Sequence, residues 1–173
     1  VVGTADLAVA SRPVHDLPAN EHTVVLTTVA APIETCFAVG LDLEAYPEWV
    51  KGIASVEVEE RDEQGRPVRA RFEATGMGRQ TSYVLAYDLS QAPHRLAWSL
   101  VEGDLTSRLE GAYVFEPAPL STEAEPSTDV TYELIVDLKL PLPGYVKRRA
   151  EDKIVESALQ RFKERVQAVD ARN

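Results

Sequence analysis

The residues able to carry nucleophilic or acid/base chemistry are few and scattered. The histidines are His15 in an irregular leader, His22 at a strand start and His94 in a turn after Pro93, and none falls where a buried triad is expected. The single cysteine, Cys36, sits on a short helix, where burial as a small hydrophobe outweighs a nucleophilic role. Gly76-Met77-Gly78 lacks the lysine and the following helix of a phosphate-cradling loop, and reads as a glycine-relieved turn. Arg108 and Glu110 fall on the opposite side of their strand from Tyr113, so no inward acid/base pair stands out. No Cys/His cluster has metal-ligand spacing, so neither a metal nor a cofactor is expected. The dense positive cluster is Lys147-Arg148-Arg149, at the start of a helical stretch where the macrodipole disfavours positive charge. Pairing of Lys147 with Glu151 and Arg148 with Asp152, at about 0.2–0.5 kcal/mol each, accounts for it blandly. A basic rim that receives an anionic head group, or touches a membrane surface transiently, accounts for it functionally.

Composition narrows the partners. The 173 residues carry a formal net charge of −10, 45% hydrophobic and 27% charged residues, which fits one domain with a real core. The negative field argues against sequence-independent binding to nucleic acid, which needs a basic patch. One cysteine forms no internal disulfide, so a reducing compartment is allowed. Apolar runs fall short of the roughly 18 residues of a membrane span, and the opening VVGTADLAVA lacks the basic residues of a secretory signal; a cytoplasmic protein is expected.

The elements that must position any site follow from periodicity. Residues 1–20 have no clear period and contain Pro13 and Pro18; they read as a leader held by the domain's own surface or by a second subunit, with residues 21–173 as the single domain. His22 to Ala30 reads as a strand. Pro32 opens a short helix over Ile33 to Val39 with Gly40 as its stop, and Asp42 to Val50 forms a second helical piece bent at Pro47. Period-two alternation predicts strands at Ile53 to Glu60, Val68 to Ala74, Gln80 to Asp88, Arg95 to Val101, Leu105 to Glu116 and Asp129 to Leu138. Tight links make them antiparallel, and Pro117 to Ser127 reads as a mobile hairpin loop. Parity puts Ala70, Phe72 and Ala74 on one face, as it does Leu96 and Trp98, Gly111 and Tyr113, and Tyr132 and Leu134. In Gln80 to Asp88 the set Tyr83, Leu85 and Tyr87 competes with Ser82, Val84 and Ala86. Gly144 to Asn173 is one amphipathic helix whose stripe includes Ile154, Val155, Ala158, Leu159, Phe162, Val166 and Val169, and a wrapping sheet is its natural partner.

One strand, two short helices, six antiparallel strands and a long helix is the order of the helix-grip fold, α+β with about seven strands wrapped around the C-terminal helix. With Ala31-Pro32-Ile33-Glu34, the Tyr46-Pro47-x-Trp49 core, Leu96-Ala97-Trp98-Ser99, Gly111-Ala112-Tyr113-Val114-Phe115 and Val130-Thr131-Tyr132-Glu133-Leu134, the chain resembles the START/SRPBCC superfamily from about His22 to Val169. Within it, the chain is similar to the polyketide cyclase/dehydrase proteins related to coenzyme Q-binding START proteins. The resemblance implies a deep cavity between sheet and helix for an apolar or aromatic molecule.

The residues agree with that implication. The inner face mixes Phe72, Trp98, Tyr113 and Tyr132 with the small Ala70, Ala74 and Gly111, and faces a helix carrying Ala150 and Ala158, which leaves space for a ligand. The expected lining is Trp49, Phe72, Tyr83, Trp98, Tyr113, Tyr132, Ile154, Ala158 and Phe162, with Lys147, Arg148 and Arg149 at the mouth. Trp49 reads equally as a core plug and as a gate. The leading expectation is a binder of a hydrophobic small molecule, a lipid, quinone or polyketide. A rival is a polyketide aromatase/cyclase using inward donors such as Tyr83, Tyr113 and Tyr132; another is a START-like protein-interaction module with a collapsed cavity. The oligomeric state stays open, with a dimer through the leader as one alternative.

Overall fold

Alternating side chains make a strand two-faced, and here seven such strands close over one helix. The computed structural model describes residues 23–76, 78–139 and 143–172, with backbone alone at 76, 147, 148, 150 and 151. The leader, with His15, and His22 lie outside the described residues, and so does any contact through the leader. The strands are β1 (Thr23–Val29), β2 (Ile53–Arg61), β3 (Pro67–Gly76), β4 (Arg79–Asp88), β5 (Arg95–Gly103), β6 (Thr106–Pro117) and β7 (Thr128–Leu138). They form one antiparallel sheet in the order β1-β7-β6-β5-β4-β3-β2, so every neighbour but β1 and β7 is a hairpin neighbour. Helix α1 (Ile33–Leu41), a 3-10 turn (Leu43–Ala45) and α2 (Tyr46–Trp49) connect β1 to β2, and α3 (Gly144–Asp170) ends the chain.

The 27-residue α3 lies in the concavity, about 40 Å long at helical rise. Val155, Leu159, Phe162 and Val166 are its buried stripe. Ile154, expected to line the interior, does not: it is 53% exposed. One residue along a helix is a turn of about 100°, so with Val155 at the centre of the stripe Ile154 is carried off it. Ala158, at three residues from Val155, stays half-buried against the core.

Register settles the faces. Phe72 stands opposite Tyr83 and Ala70 opposite Leu85. Tyr87 is opposite Trp98, Trp98 opposite Gly111, and Tyr113 opposite Tyr132. The inward set of β4 is therefore Tyr83, Leu85 and Tyr87. Val84 points outward and is still buried, because its cross-strand neighbours Arg71 and Glu102 pair at 2.8 Å and their stems cover it.

Two glycines act differently from their sequence reading. Gly40 does not stop α1, which runs on to Leu41; a Cβ there would stand 3.1 Å from Leu96 Cδ2, so its smallness serves close packing of α1 on β5. Gly111 does not leave room for a ligand. The Trp98 indole lies across it, and a Cβ would fall 2.4 Å from Cζ2 of that ring. Overpacking of this kind costs about 1–3 kcal/mol. Gly111→Ala is thus expected to lower the unfolding free energy in urea by at least about that amount, and Trp98→Leu to shrink the cost only in part, because the Cβ would also fall 2.7 Å from the Glu133 carbonyl oxygen; equal costs in both backgrounds would contradict the ring contact.

Candidate functional site

Rings supplied by the sheet, the α1–α2 connection and α3 meet in the concavity. Phe72 stacks on Tyr83 with centroids 5.3 Å apart and planes 9° apart. Tyr113 stacks on Phe162 at 4.7 Å and meets Tyr132 at 4.7 Å. Trp98, held over Gly111, tilts against Tyr87 at 6.4 Å, Tyr113 at 5.5 Å and Tyr132 at 5.7 Å. Tyr46 joins the cluster from α2, at 5.0 Å from Trp49 and 6.2 Å from Phe72.

Of the expected lining residues, Phe72, Tyr83, Trp98, Tyr113, Tyr132 and Phe162 come together in this cluster, and Ala158 packs at its edge. Trp49 is 8% exposed, wedged between Tyr46 and Phe162, and packs as a plug. Its Nε1 is buried without a hydrogen-bond partner. It also lines a pocket of about 130 Å³ with Ala38, Val39, Asp42, Arg165 and Val169, smaller than the roughly 300–1,000 Å³ of ordinary ligand sites. Arg149 is exposed; the side chains of Lys147 and Arg148 lie outside the described residues. Two residues absent from the expected lining, Tyr46 and Tyr87, belong to the same ring cluster.

Five of the six tyrosines therefore send rings into one interior. Tyr46 donates its hydroxyl to the Gly40 carbonyl at 2.6 Å, tying α2 to α1. The hydroxyls of Tyr83, Tyr87, Tyr113 and Tyr132 make no hydrogen bond to a described residue, and the side chains of Tyr87, Tyr113 and Tyr132 are buried in the core. Desolvation raises the Tyr83 phenol to about 12. Desolvation followed by repulsion from neighbouring phenols drives Tyr46, Tyr87, Tyr113 and Tyr132 further upward. At neutral pH they are protonated donors, unsuited to act as bases.

Between these tyrosines the concave face of β3 to β7 is apolar, small or hydroxyl-bearing, as in Ala70, Leu85, Leu100, Leu109, Leu134 and Thr106. Arg108 bonds Glu110 at 3.0 Å on the other face. Burial pushes the Cys36 thiol up to about 11, against a hydrogen bond with Thr128 that lowers it. Such a thiol is a poor nucleophile. Among the described residues no cluster of His, Cys, Asp and Glu could hold a metal, and no helix is long and apolar enough to cross a membrane.

The chain is similar to proteins already known. A family model described as polyketide cyclase/dehydrase and lipid transport matches residues 29–163. No curated protein matches. Among solved structures, a START superfamily protein from Mycobacterium smegmatis is 24% identical with a TM-score of 0.77, covering 86% of this chain and 99% of its own. A protein of Thermus thermophilus is 27% identical with a TM-score of 0.65, covering 86% and 98%. The Zhui aromatase/cyclase from a Streptomyces species is 17% identical with a TM-score of 0.66, covering 84% and 93%. These likenesses carry the helix-grip fold expected from the order of elements.

The buried phenols set a pH limit on the fold. Their folded pKa values lie above the ordinary value of about 10, so the unfolded chain loses these protons first and stability falls as pH rises beyond about 10. Phenolate absorbance near 295 nm is expected to appear together with loss of near-ultraviolet circular dichroism, as one cooperative step carrying five phenolates. Five phenolates appearing while the dichroism persists would show that the rings are open to solvent.

Proposed function

We propose that this chain, which belongs to the polyketide cyclase/dehydrase and lipid transport family, binds a hydrophobic small molecule between the concave sheet and α3. The observation that carries this is an apolar, ring-lined concavity in which the hydroxyls of Tyr83, Tyr87, Tyr113 and Tyr132 have no hydrogen bond to a described residue. Such hydroxyls keep a hydrogen-bonding demand that a ligand oxygen can meet, because a buried polar atom left without a partner is costly. The pattern supports a ligand site over a filled core that serves only to present a surface. It also supports binding over catalysis: cyclisation of a polyketone needs a base to remove a proton, and the buried phenols here are donors that hold theirs. Carriage or sequestration of the molecule is the corresponding role.

Native mass spectrometry of the protein purified from its own host tests this, followed by mass analysis of whatever denaturation releases. One apolar molecule per chain is the expected result. Bare protein, with no thermal shift across lipid, quinone and aromatic polyketide panels, would overturn the reading.

A further inference from the structure

We propose a second binding site, apart from the concavity: the small pocket between α1 and the C-terminal half of α3 takes a small zwitterion with an apolar side chain, of the class of the neutral aliphatic amino acids. Of the ring cluster only Trp49 lines this pocket.

Three features carry the assignment. First, size and walls suit one short aliphatic group. The pocket measures about 130 Å³ and is lined by Ala38, Val39, Asp42, Trp49, Arg165 and Val169. An apolar cavity of roughly 150 Å³ takes one benzene. Ala38, Val39 and Val169 supply methyl groups, and with its Nε1 sealed from solvent the Trp49 side chain has only ring carbon to offer. Second, the pocket carries opposite charges that do not satisfy each other. Asp42 caps the end of α1 and Arg165 stands on α3. They form no ion pair together although both line one small pocket; Arg165 pairs instead with Glu48 at 2.9 Å. A bare cation there would meet the guanidinium and a bare anion the carboxylate, whereas a molecule with an ammonium and a carboxylate can oppose each with its opposite. Third, both groups have bonding capacity to spare. The exposed Asp42 carboxylate makes no hydrogen bond or ion pair to a described residue. Arg165 engages Glu48 through one nitrogen and keeps the other N–H groups of its planar fork, in a side chain only 23% exposed.

The probes are L-leucine, isoamylamine, which is leucine without its carboxylate, and isocaproate, which is leucine without its ammonium; the branched side chain is common to all three. Binding to the full chain is followed through the indole N–H resonance of Trp49 in nitrogen-15-labelled protein, identified by its loss in Trp49→Phe. Leucine is expected to shift that resonance saturably, with a Kd on the order of 1 mM for so small a molecule. Isoamylamine and isocaproate are expected to bind at least about fivefold more weakly. Asp42→Asn is expected to remove the advantage of leucine over isocaproate, and Arg165→Gln its advantage over isoamylamine, each leaving the other comparison in place. Should Arg165→Gln fail to melt cooperatively, Asp42→Asn decides alone, since that exposed carboxylate holds no other residue in place. A Trp49 resonance that leucine does not move, equal affinity for the three probes, or preferences untouched by Asp42→Asn would overturn the site.

Discussion

A phenol taken out of water brings an apolar ring that stabilises the core and a hydroxyl that must still be satisfied, and this fold takes in five of them. The rings solve their part by packing on one another and on Phe72, Trp98 and Phe162. Such pairs add about 0.5–1.5 kcal/mol each beyond the area they bury. Only Tyr46 solves the second part within the described protein, through the Gly40 carbonyl. The other hydroxyls are held where they are by the packing of their rings, so the polarity of the interior follows from how its walls are built. Gly111 is part of that construction: by letting Trp98 lie flat it spaces Tyr87, Tyr113 and Tyr132 around one indole.

The two faces of the sheet divide the work. On the convex side Arg69 and Arg71 share Glu59 at 2.9 and 3.0 Å, and Arg71 reaches Glu102 at 2.8 Å. The hydrogen bond from Arg69, with Arg71 beside it, holds the Glu59 carboxyl below its usual range. Exposed pairs of this kind add little stability individually, but they set cross-strand register and screen apolar residues such as Val84 from water. At one end of the concavity α1 and α2 close on the C-terminal half of α3: Trp49 meets Phe162, Glu48 pairs with Arg165 at 2.9 Å, and Gly40 sits close to Phe162. Trp49 is buried at that end, beside the small pocket it lines with Val39 and Arg165.

How much of this could be read from the chain depends on the kind of signal. The strands and α3 were legible because period-two alternation and a 3.6-residue stripe are properties of consecutive residues. The boundaries agree closely, with β3 and β4 each extending into the turn around position 77. Ile154 was misplaced because a stripe about half the helix wide has edges, and only the curvature of the sheet decides which edge residues it covers. Tyr87 was obscured because Val84 on the same strand is also buried, covered from outside by side chains of two other strands. Tyr46 lay in plain view in the Tyr-Pro-x-Trp piece; its inward hydroxyl depends on a carbonyl six residues earlier, which no periodicity reveals. Gly111 shows the same limit: a small residue reads as space until the partner strand places Trp98 over it.

The interior also constrains the charge of what it encloses. Its described walls are hydrocarbon, aromatic ring and neutral phenol, and the phenols resist ionisation because desolvation and their own proximity oppose it. An ion drawn fully among them would lose its hydration without a countercharge on those walls, a penalty of several kcal/mol that phenol donors offset only in part. The protein outside this face is the reverse, strongly charged with a net −10. Under the proposed ligand-binding reading, neutral polarity inside and net negative charge outside together favour a molecule whose enclosed part is uncharged and largely apolar.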